Sequence, residues 1–139
     1  MGDGFLERYV CLLVSEREEQ IIMDEQITTD IILNRLEDAV AAHEIIPPHK
    51  WLDAAQALNA LLGNEHDILV QLELDVNRSR LATLNEMEKP SVARADLETR
   101  ATELYRDYQL QKAKIGRIEE MIRISKKQAT LRSEELGNY

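Results

Sequence analysis

The chain has 139 residues, a formal net charge of -9, 44% hydrophobic and 31% charged residues. That balance over about one domain's length excludes a compositionally disordered chain. Five Gly, three Pro, one Trp and one Phe supply little of the turn punctuation and aromatic content of a β-sheet protein, so the expected core is Leu, Ile, Val, Met and Ala on packed helices.

In chain order, a first helical block runs from about residue 5 to 44. "SEREEQ" interrupts it and "TTD" at 28–30 offers an N-cap, so two shorter helices are expected. The second places Ile32, Leu33, Leu36, Val40 and Ala41 on one face. "IIPPHKW" ends the block, because Pro48 cannot continue a helix yet fits the first turn of the next. The second block spans about 49–88, with Ala55, Leu58, Leu62, Leu69, Leu72 and Val76 at helical spacing. Gly63 costs about 1 kcal/mol in such a helix, and the expected element is continuous, with a kink there at most.

"NEMEKPSVARAD" at 85–96 is the clearest turn: Pro90 disfavours helix at Lys89, and Ser91 caps the next helix. The third block carries Leu97, Ala101, Leu104, Tyr108, Gln111, Ile115, Ile118, Ile122, Ser125 and Ala129 at alternating spacings of four and three. That 3.5-residue period is a coiled-coil seam, with Gln111 and Ser125 as its polar members. A short turn between two long helices predicts an antiparallel hairpin with arms 49–88 and 92–134, each about 60 Å long. The expected fold is therefore all-α. A coiled-coil hairpin fills residues 47–139, and an acidic helical segment, 1–46, packs on it or serves oligomerisation.

Charge is unevenly placed. Residues 1–50 balance at -7, residues 51–100 at -4 and residues 101–139 at +2. The basic stretch "LQKAKIGRIEEMIRISKKQATLR" has two competing uses. Its positive charge spreads around the helix, with a loose cluster of Lys112, Arg123, Lys126 and Lys127 on one side, and Lys112, Lys114, Arg123 and Lys127 are the candidate contacts to nucleic acid or a partner. Alternatively, if the turn centres near Pro90, residue i lies opposite about 180 - i, and Glu65 and Asp67 meet Lys112 and Lys114, with Asp75 level with Arg106. The second use is favoured, and with the net charge it predicts weak or absent direct DNA binding. On the N-terminal segment, Glu16, Glu18, Glu19, Asp24 and Glu25 form a candidate acidic partner-binding face.

Signatures of enzymes are missing: no Gly-rich phosphate loop, no His-Glu-x-x-His, no Cys pair and no nucleophile elbow. No enzyme activity, cofactor or metal is expected. His43 and His49, with Glu44, flank the Pro pair and read as exposed loop residues, and His66 as a surface residue. Cys11 is the single cysteine and reads as a small buried hydrophobe in a reducing compartment. The longest apolar run, "YVCLLV", is far below the roughly 20 residues of a membrane span. A cytoplasmic protein with no membrane association is expected.

From "HKWLDA" to "LYRDYQLQKAKIGRIEEMIRISKKQATL", residues 49–132 resemble small helical proteins of bacteriophage DNA-metabolism gene clusters. In architecture they are similar to the UvsY-like recombination mediators, with a "KWL" helix start and a later basic, Tyr-containing helix. The resemblance implies a homo-oligomeric, non-enzymatic accessory protein that acts on replication or recombination proteins. That family loads a recombinase onto single-stranded DNA and is more basic than this chain. The alternative is an acidic inhibitor of a host nucleic-acid-binding enzyme, of anti-CRISPR or anti-restriction type.

Overall fold

The structure is a computed structural model and describes residues 29–137. Among the described residues there are four helices and no strand: α1 (Thr29–Ala41), α2 (Pro48–Glu86), α3 (Val92–Arg100) and α4 (Glu103–Gly137). The fold is all-α, with the two long helices α2 and α4 packed against each other in the hairpin sense. The chain forms two compact units. Among the described residues, one comprises 29–62 together with 117–137, and the other Gly63–Gly116.

In the first unit α1, the start of α2 and the end of α4 share one core. α1 contributes Ile32, Leu33, Leu36 and Ala39; α2 contributes Trp51, Ala54, Ala57 and Leu58; α4 contributes Ile118, Met121 and Ala129. Within each set the residues recur at helical intervals of three, four or eight, which puts those side chains on one stripe of each helix. On α2 the small side chains of Ala54 and Ala57 are buried in the same core as the large Trp51 ring. The face of α1 is centred slightly differently from the expectation. Ala39 is buried while Ala41, on the last turn, is exposed.

α1 ends in a Schellman motif. His43 takes the left-handed conformation at φ 53. Its N–H bonds the Val40 carbonyl at 3.1 Å, and the Glu44 N–H reaches back to the Ala39 carbonyl at 3.0 Å. Arg35 ties the far side of this cap through its 3.1 Å ion pair with Glu44. The chain then places Ile46 in the core, and the Pro47 carbonyl receives the Lys50 and Trp51 N–H groups at 3.0 and 3.3 Å. Pro48 occupies the first helical position, where a missing N–H costs nothing.

α2 passes through Gly63 as one unbroken 39-residue helix. In the second unit its inward face is Glu65, Leu69, Leu72, Val76, Ser79 and Thr83, buried or half-buried, against Ala95 and Thr99 of α3 and Ile115 of α4, which are buried. The Pro90 turn lies where the sequence places it, and the Ser91 hydroxyl accepts the Arg94 N–H at 3.3 Å as the N-cap of α3.

The expected single third arm is broken at Ala101–Thr102. The Thr102 hydroxyl donates to the Thr99 carbonyl at 2.6 Å and accepts the Tyr105 N–H at 3.2 Å, ending one helix and capping the next. The break resets the helical phase. Leu97 and Ala101, expected in the seam, are exposed, and Ala95 and Thr99 are buried instead. Beyond the break the seam holds: Leu104, Tyr108 and Gln111 are half-buried, Ile122 likewise, and Ile115, Ile118, Ser125 and Ala129 are buried.

Candidate functional site

The most constrained polar arrangement in the second unit centres on Glu65. Only 5% of its side chain is exposed, and Lys114, at 19%, places Nζ 3.1 Å from Oε1. Gln111 lies one helical turn before Lys114, and its Nε2 donates to the other carboxylate oxygen at 2.7 Å and to the Glu65 backbone carbonyl at 2.9 Å. A carboxylate at a seam position is tolerable because both oxygens are met by donors from the facing helix. Gln111, a polar exception in an apolar seam, is explained by the same contact. The pairing of residues 65 and 114 matches the register inferred from the Pro90 turn. Asp75, expected level with Arg106, instead meets Gln71 at 3.1 Å and Arg78 at 4.0 Å on its own helix.

A second polar group joins α2 to α3. Arg80 forms a 3.1 Å ion pair with Asp96 and donates to the Asn77 side-chain oxygen at 3.0 Å. These residues line a cleft of about 170 Å³ with Glu73, Val76, Thr99, Arg100, Tyr105 and Tyr108. The Thr99 hydroxyl in its wall is buried without a hydrogen-bond partner among the described residues. The Tyr105 and Tyr108 rings lie 6.0 Å apart, and the Lys112 ammonium stands 5.3 Å over the Tyr108 ring.

The four candidate basic residues are therefore in unlike settings. Within the second unit Lys112 sits on an aromatic face and Lys114 is neutralised by Glu65. Within the first unit Arg123 is exposed and pairs with Glu120 at 3.0 Å on its own helix. Lys127 is exposed, with no ion pair among the described residues. Hydrogen bonding to Glu120 pushes the Arg123 pKa up, and the same bond pulls the Glu120 carboxyl down, so both hold their charges more firmly. Arg117 was not singled out by sequence, yet it links α4 to α1 by hydrogen bonds to Glu37 and, at 3.1 Å, to Asn34. That contact raises its pKa, chiefly through the Glu37 bond. At the end of α4, Arg132 pairs with Glu135 at 3.0 Å.

The acidic candidates Glu16, Glu18, Glu19, Asp24 and Glu25, and Cys11, lie outside the described residues. His43 and His49 are exposed, and among the described residues no group of three or more His, Cys, Asp or Glu is placed to hold a metal ion. No described helix is long and apolar enough to cross a membrane. No family model matches the chain, and no curated protein or solved structure matches it.

Proposed function

We propose that the protein is a non-enzymatic helical adaptor of bacteriophage origin that acts in the cytoplasm on DNA replication or recombination proteins through protein–protein contacts, as a homo-oligomer. The observation that carries this reading is how the cations of α4 are used. Lys114, Arg117, Arg123 and Arg132 each meet a carboxylate of the chain itself. Half of the eight cations of α4 are engaged in this way, which lowers the positive charge offered to a phosphate backbone, and the net charge of -9 repels one. The second unit meanwhile exposes Val70, Leu74, Leu81, Val92, Leu97 and Leu110, the surface chemistry that protein partners bury. The choice of replication or recombination proteins as the partner class rests on the resemblance of residues 49–132 to UvsY-like mediators.

One observation favours a second reading. The acidic surplus is concentrated in residues 1–50, at -7, which suits an inhibitor occupying the nucleic-acid site of a host defence enzyme. Affinity capture from host lysate with the full tagged chain separates the two. Recovery of a recombinase or single-strand-binding protein, retained when duplex DNA is added as competitor, supports the adaptor. A nuclease complex released by that competitor replaces it with the inhibitor, and recovery of neither overturns both.

A further inference from the structure

α2 carries two apolar seams in the second unit, and the fold uses one. The inward seam, Glu65, Leu69, Leu72, Val76, Ser79 and Thr83, faces α3 and α4. A second set, Val70, Leu74, Asn77, Leu81 and Leu84, repeats at the same alternation of four and three. Leu74 follows Leu69 by five residues, so this set lies about 140° around the helix from the first. Val70, Leu74 and Leu81 are 56, 45 and 57% exposed. The stripe continues into a groove lined by Leu81, Leu84, Val92 and Ala95, where Val92 is 65% exposed. A single solvated helix face has no reason to hold a 3.5-residue apolar period over two heptads, whereas a helix that pairs twice does.

We infer that this outer seam of α2 is a self-association surface, on which a second copy of the chain docks in parallel and in register. The choice of occupant rests on charge and on Asn77. In the heptad set by Leu74 and Leu81, the residues flanking the seam are Glu73 on one side and Arg78 on the other. A parallel, in-register pair brings Glu73 of each copy to Arg78 of the other, two complementary contacts by symmetry. The same register sets Asn77 opposite Asn77, so that a side-chain N–H of one copy reaches the side-chain oxygen of the other, whose second lone pair accepts from Arg80 of its own chain. The antiparallel alignments that pair apolar layers set Asn77 against Leu74 or Leu81 and leave its amide N–H groups unpaired, which disfavours them. A seam of about 21 Å makes a small interface, so the association is reversible and micromolar.

This inference deepens the self-association in the proposed function and rests on it; the partner of that reading is tested separately by capture. The test uses the full chain with Cys11→Ser, which removes the native thiol, and adds Leu81→Cys on the exposed seam. Sedimentation equilibrium of the unmodified chain over a concentration series is expected to show a monomer–dimer equilibrium, and Leu74→Asp with Leu81→Asp is expected to give a monomer of unchanged helicity. Under mild oxidation Leu81→Cys is expected to give a disulfide-linked dimer. Arg78→Glu is expected to raise the dissociation constant about tenfold, and Glu73→Arg added to it to restore the original value. A monomer at about 100 µM overturns both the seam and the self-association. An oligomer that ignores the Asp substitutions, or in which Leu81→Cys fails to cross-link, overturns the seam and leaves self-association standing through another surface.

Discussion

Replacing Glu65 with Ala removes one partner from a nearly dry cluster. Lys114 loses its carboxylate and Gln111 loses its 2.7 Å acceptor, while the 2.9 Å bond to the backbone carbonyl survives. Leaving a buried charge without its partner typically costs about 3–5 kcal/mol. Lys114 keeps 19% of its side chain in water and can partly rehydrate, which places the expected loss at the lower end, about 3 kcal/mol. At roughly 4 °C per kcal/mol for a chain of this size, the midpoint falls by about 12 °C. The double variant Glu65→Met, Lys114→Met removes both charges and fills the seam, and it is expected within about 1 kcal/mol of the original protein. Urea unfolding followed by far-UV circular dichroism measures both. A Glu65→Ala variant that unfolds within about 0.5 kcal/mol of the original protein would mean that the carboxylate is solvated and carries no buried pair.

Four further outcomes are expected of the same structure. Gly63→Ala should stabilise by about 1 kcal/mol in urea unfolding, since the helix is continuous and an added Cβ meets nothing within 4 Å. His43→Gly should stabilise by up to about 1 kcal/mol by relieving the left-handed backbone of the α1 cap, read as a rise in thermal midpoint. Ile118→Asp should cost several kcal/mol because Ile118 is fully buried, whereas Arg106→Ala, at an exposed position, should stay within about 0.5 kcal/mol. Leu36→Ala should cost about 2–5 kcal/mol, a cavity at the centre of the first unit's core, measured by the same denaturation.

Much of this architecture is legible in the residues because helical periodicity and turn chemistry are local. The Pro90 turn, the Ser91 cap, the continuity of α2 through Gly63 and the 65-to-114 register are all set by short stretches read with simple geometry. The break at Ala101–Thr102 was hidden for a physical reason. An apolar seam can run through a threonine without interruption on paper, and only the pairing of the Thr102 hydroxyl with Thr99 and Tyr105 decides that the helix stops. The Arg117 link to Glu37 joins residues 80 apart in sequence, and no local pattern signals it. Gln111 is the instructive case: its polarity marked it as an exception in the seam, but its reason lay on the facing helix.

The basic last helix, four of whose eight cations meet the chain's own acids, is not expected to be a nucleic-acid interface. Fluorescence anisotropy with a labelled single-stranded oligonucleotide across a salt series tests it directly. Weak binding that modest salt abolishes is expected, because few phosphate contacts form against a net charge of -9. Sub-micromolar affinity near 0.15 M salt, lost when Lys112, Arg123 and Lys127 are changed to Glu, would contradict it.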